Sequence, residues 1–164
     1  MNNIVLIGMP GVGKSTVGVI LAKLTGKSFV DTDLVIQSET DMLLKDIIAE
    51  RGIDGFIELE NRICASVNVK NSVIATGGSV VYGEDAMRHL RSIGTVVYLK
   101  HDIDILKKRL SDLKGRGVIL REGQDLDSLF DERAPLYEKY AHAVADLKDG
   151  NIEDNVEIIL SLIS

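Results

Sequence analysis

The stretch Gly8-Met9-Pro10-Gly11-Val12-Gly13-Lys14-Ser15 spaces glycines, a lysine and a hydroxyl as GxxxxGK[ST]. Glycines at these places let backbone N–H groups turn inward around phosphate oxygens. A helix starting at the lysine aims its positive end at the same oxygens. In this pattern Gly11, Val12, Gly13 and Thr16 line the nucleotide, Lys14 reaches the β- and γ-phosphates, and the Ser15 hydroxyl ligates Mg²⁺. Asp31 and Asp33 follow, two apart in "KSFVDTD". Read as the end of a strand, the two carboxylates point the same way, towards the edge where open α/β sheets bind ligands. One can hold Mg²⁺ through water, and the other can accept a proton from an attacking hydroxyl. The competing reading is an Asx turn that caps the next helix. In Thr76-Gly77-Gly78-Ser79 the glycines either admit a ligand closely or make a plain turn. Arg109, Arg116, Arg121 and Arg133 offer cations for developing phosphoryl charge. Arg116, between Gly115 and Gly117, suits a closing lid; Arg121 reads as a solvated charge. His89, His101 and His142 are isolated, without metal-ligand spacing.

These residues need elements to hold them. Ile4 to Ile7 are aliphatic without a period, a short strand buried on both faces. Val17, Ile20, Leu21 and Leu24 make one helical stripe after Lys14, and Gly26 can stop it. "KSFVDTD" is a second strand. Leu44, Ile47 and Ile48 share a helix face that ends at Gly52, and Phe56, Leu59, Ile63 and Val67 mark another helix. "SVIATGG" and "TVVYLK" read as strands, and Ile103, Leu106 and Leu110 as a helix. "LKGRGVILREG" reads as a loop. A helical stretch from Asp127 is interrupted by Pro135; "HAVADL" is a fifth strand and Val156, Ile159, Leu160 and Ile163 a last helix. Strands alternating with helices predict an α/β fold with a parallel sheet covered on both faces. Met9 and Met42 read as packing residues.

A chain of 164 residues predicts one domain, and an apolar content of 45% predicts a packed globule rather than disorder. A net charge of -6 argues against a nucleic-acid partner. The apolar run at the start ends at Gly8, too short for a membrane span, and Cys64 is the only cysteine. The expectation is a cytoplasmic monomer acting on a small molecule.

Taken together, "GMPGVGKST", "DTD", "TGG", the arginine of the loop and "RAPLY", in this order along nearly the whole chain, resemble the shikimate kinases. The resemblance implies a nucleoside-monophosphate-kinase-like, three-layer P-loop fold with a five-stranded parallel sheet flanked by helices. It implies a lid over about residues 113–123 and an acceptor-binding helical region over about residues 33–62. It implies transfer of the ATP γ-phosphate to the 3-hydroxyl of shikimate. By the same resemblance Ser15 and Asp31 hold Mg²⁺, Asp33 is the base, and Gly77 and Gly78 approach the substrate. Arg116 closes over the phosphates, Arg133 holds the substrate carboxylate, and Arg109 lies against the adenine.

Three positions depart from the family pattern. Ile57 stands where F-R-x-x-E has the arginine that grips the carboxylate, although Phe56 and Glu60 match. Ser79 replaces the last glycine of a triplet, and Gly117 replaces the proline of the lid. The first leaves the substrate carboxylate one charge-assisted contact short, a loss of roughly 1.5–3 kcal/mol. Two alternatives therefore stand beside a shikimate kinase. One is a related kinase for another hydroxylated metabolite, with Arg62 as a candidate replacement cation. The other is a nucleotide-binding module without catalysis.

Overall fold

The aliphatic run at Asn3–Ile7 forms β1, buried along its whole length, and everything else is arranged around it. In the computed structural model, which describes residues 2–111 and 123–164, the chain continues through helix α1 (Lys14–Thr25), β2 (Ser28–Asp31), α2 (Thr32–Thr40), α3 (Leu44–Ala65) and β3 (Ser72–Ala75). A short 3-10 turn at Val80–Tyr82 leads to α4 (Glu84–Ile93), β4 (Gly94–Lys100), α5 (Ile103–Ser111), α6 (Leu126–Tyr140), β5 (Ala143–Asp146) and α7 (Ile152–Ile163). All strand pairs are parallel, in the order β2-β3-β1-β4-β5. Ile4 lies opposite Val73 on one side of β1 and opposite Thr95 on the other. From β1 the chain crosses to the edge strand β2, returns to β3 beside β1, and then continues on the other side through β4 to β5. The carboxyl end of β1 is therefore the switch point, the crevice where such sheets bind ligands.

Two apolar clusters hold this arrangement. The larger runs through the sheet and the helices on its faces, with Leu6, Ile7, Ile74, Val97 and Tyr98 at its centre. The smaller lies within α2 and α3 and consists of Ile36, Ile47, Phe56, Leu59 and Ile63, with Met42 and Leu44 packed against it. The expected acceptor-binding region thus carries its own small core.

Several sequence expectations change. Asp33 is not on a strand: β2 stops at Asp31, and Asp33 lies in the first turn of α2. Gly52 does end a helix as expected: its φ of 75° and ψ of 174° are non-helical, and the span α3 consists of two helical stretches that meet at this kink. Pro135 does not interrupt α6. The proline removes one backbone donor, yet a reciprocal Asp125–Ser128 cap and the buried Leu129, Arg133, Tyr137 and Tyr140 carry the helix through it. α4 was not anticipated; it buries Ala86, Met87 and Leu90 and packs Ile93 against the core, in a sequence otherwise largely charged. Among the described residues no helix is long and apolar enough to cross a membrane.

Candidate functional site

Between β1 and α1 the backbone turns through the left-handed region at Gly11 (φ 84°) and Gly13 (φ 96°). These are conformations that glycine adopts without the penalty of a Cβ. Gly13 occupies the N-cap of α1 and offers no side-chain acceptor. The first N–H groups of α1, those of Ser15 and Thr16 among them, are left for an anion. Val12 faces the core. The Lys14 ammonium donates to the carbonyls of Gly8 (2.6 Å) and Met9 (2.9 Å), which aims it across the loop. Burial pulls its pKa down to about 8, against the attraction of Asp33. Arg109 reaches back from α5 and donates to the carbonyls of Gly11 and Val12.

Asp31 takes the capping role that was one of the two readings made of it. Its Oδ1 accepts from the backbone N–H of Asp33 and caps α2. Its Oδ2 accepts from the Ser15 hydroxyl at 2.9 Å. Two hard oxygens thus sit together beside the phosphate loop, a donor set that suits Mg²⁺ arriving with a nucleotide. Among the described residues no group of three or more His, Cys, Asp or Glu could hold a metal ion. The cap turns the Asp33 carboxyl inward to the floor of the cleft. Burial, with Asp31 adding to it and Lys14 opposing, pushes its pKa up to about 6.

Gly77 and Gly78 form that floor. A Cβ at Gly77 would stand 2.8 Å from both Asp33 Oδ1 and Glu60 Oε2; one at Gly78 would stand 2.9 Å from Arg133 Nη1. A side chain at either glycine would have to displace these groups of the site. Arg133 is buried at 2% exposure, donates from Nε to the Tyr82 hydroxyl and lies over the Tyr82 ring. One turn on, Tyr137 donates to the Gly78 carbonyl at 2.6 Å. That accounts for the R-x-P-L-Y spacing: its arginine and tyrosine, four residues apart, share the buried face of α6. Ser79 donates from Oγ to Glu60 Oε1 at 2.6 Å. Glu60 is 1% exposed, and its Oε2 has no hydrogen-bond partner among the described residues. Burial pushes the Glu60 carboxyl up to about 7.

The cleft has two connected parts. The larger, of about 430 Å³, runs past Gly11, Gly13, Lys14, Ser15 and Asp33. The smaller, of about 40 Å³, lies between Asp33, Phe56, Glu60, Ser79 and Arg133. Asp33, Gly77 and Gly78 belong to both walls. Ile57 is half-buried and lines neither, and Arg62 is exposed; neither supplies the recess with a second cation. Arg116, Arg121 and most of the expected lid lie outside the described residues. Ser79, Tyr82 and Tyr137 were not read from the sequence as site residues; the "RAPLY" match was the only signal for Tyr137.

Comparison with known proteins gives a consistent picture. The family model for shikimate kinase matches residues 10–164. The chain is 40% identical over 148 residues to the shikimate kinase of Nitrosomonas europaea, covering 88% of this chain and 70% of that protein. It is 36% identical over 152 residues to shikimate kinase 2 of Pectobacterium carotovorum, covering 87% and 86%. Its structure matches that of the shikimate kinase from Acinetobacter baumannii in complex with shikimate at a TM-score of 0.89, with 33% identity over 99% of this chain and 93% of that one.

Proposed function

The chain belongs to the shikimate kinase family, and from that membership we propose that it transfers the γ-phosphoryl group of ATP to the 3-hydroxyl of shikimate. The observation that carries this reading is the Asp33 carboxyl on the wall shared by the phosphate cleft and the inner recess. A base there touches an acceptor in one part and faces a phosphate in the other.

The loop N–H groups and the start of α1 take the phosphates, and Lys14 turns from its own carbonyls to the β- and γ-oxygens. Ser15 and Asp31 would hold Mg²⁺, which would supply positive charge to neutralise the phosphates. Asp33 takes the proton of the acceptor hydroxyl as that oxygen bonds to the γ-phosphorus. The bond from phosphorus to the β–γ bridging oxygen breaks, and ADP leaves. Arg133 pairs with the acceptor carboxylate, and Gly77 and Gly78 let the acceptor lie against the floor. Arg109, held at the loop by Gly11 and Val12, packs against the adenine. For Arg116 the closing role rests on the family resemblance alone.

A second reading, a kinase for a different hydroxylated metabolite, is favoured by the absence of Ile57 and Arg62 from the recess. A coupled ADP-release assay over shikimate, quinate, gluconate and simpler polyols separates the two. Shikimate is expected to give the highest kcat/KM. A higher value for gluconate or a polyol would replace the proposal, and ATP turnover without acceptor turnover would point to a module without transfer activity.

A further inference from the structure

The inner recess ends in a carboxyl group with one hand free. Ser79 occupies Glu60 Oε1, Ile57, one turn earlier on α3, offers no donor, and Oε2 is buried without a partner among the described residues. That oxygen and Asp33 Oδ1 converge above Gly77, and Arg133 lines the same recess. A volume of about 40 Å³ holds roughly three water-sized groups. It admits a carboxylate and not a ring.

We propose that Glu60 is a specificity-determining binding residue whose protonated Oε2 donates a hydrogen bond to the acceptor carboxylate, beside Arg133. The proposal rests on the reading of shikimate as acceptor. The groups facing Glu60 are Asp33 from α2, Lys14 from α1, Arg133 from α6 and Ser79 after β3, with Cys64 one turn on along α3. Burial is the largest influence and favours the neutral acid; Asp33 acts with it, while Ser79, Arg133 and Lys14 act against it. An acceptor carboxylate entering the recess is one more negative charge and strengthens the same preference. A neutral carboxyl donates to an anion, where an ionised one would repel it. Acceptor binding is thus linked to a proton on Glu60. The carboxyl is protonated below about 7, so affinity is full there and falls as pH rises through that value.

The test is KM for shikimate from pH 6.5 to 8.5 at saturating ATP, in wild type and Glu60→Gln. Wild-type KM should rise towards tenfold per pH unit above 7, with kcat little changed. The glutamine can accept from Ser79 and donate from its amide at any pH, so its KM should stay near the wild-type low-pH value and lose the slope. Lys14, Asp33 and Arg133 remain in the variant and cannot account for a lost slope. The second measurement needs no variant: calorimetry of shikimate binding at pH 8 in two buffers of different ionisation heat should show proton uptake. A flat wild-type KM, a slope that survives in Glu60→Gln, or binding without proton uptake would each overturn the proposal. Shikimate turnover with a flat KM removes the Glu60 role alone, whereas no shikimate turnover removes the acceptor assignment on which it rests.

Discussion

The two ends of the cleft share a wall but are built from different materials. The phosphate end is largely backbone: turned glycines, the free N–H groups of α1 and one lysine held by main-chain carbonyls. The acceptor end is nearly all side chain, a set in which Glu60, Ser79, Arg133, Tyr82 and Tyr137 hold one another or the floor. A backbone cradle depends on where glycines fall in a local stretch. A side-chain set depends on partners far apart in the chain, and a change at one leaves its partner to find another. The departures at Ile57 and Ser79 both fall at the acceptor end, and both bear on Glu60.

The contrast can be broken most severely at the phosphate end. Lys14→Ala should lower kcat by at least about a thousandfold in the coupled assay, with a melting temperature close to wild type. Near-normal turnover would mean that backbone alone suffices there. Asp33→Asn, on the shared wall, should lower kcat by about a hundredfold or more while ATP still binds by calorimetry. Asp33 must be ionised to take the proton, so wild-type kcat should fall as pH drops through about 6, and the variant should lack that limb. Gly77→Ala drives a methyl group against two carboxylate oxygens. KM for the acceptor should rise roughly tenfold, about 1.4 kcal/mol, and KM for ATP should change less. Ile57→Arg should have the smallest effect, a shikimate KM lowered by up to roughly tenfold. The new guanidinium would pair with Glu60 and keep it ionised, so this variant should also lose the pH dependence of KM. An unchanged KM would show that the side chain at position 57 cannot turn into the recess.

The same division decides how much the sequence discloses. The phosphate loop and the alternation of strands and helices are local patterns, and both are present as read. Asp33 was placed on a strand because "FVD" favours extension, but the Asp31 cap ends β2 two residues sooner. Pro135 looked like a break because propensity is a local signal, while the buried face of α6 is a tertiary one. α4 gathers Ala86, Met87 and Leu90 on one face of a charged sequence, a local pattern that was legible but absent from the expectations. The Ser79–Glu60 bond joins residues 19 apart, and Tyr137 meets Gly78 across 59. No local pattern carries such pairs; only a family motif hints at them.

The two oxygens of Asp31 have a kinetic consequence. Oδ1 anchors the start of α2 through the Asp33 N–H, and Oδ2 faces Ser15. On the proposed roles, a metal bound with ATP would compete for Oδ2 and would leave the anchor through Oδ1 in place. Asp33 therefore stands at its post whichever partner enters first. The Asp33 backbone is thus held with neither nucleotide nor acceptor bound. On the proposed roles, these groups would impose no compulsory order of loading, and traffic through the cleft would run by either door.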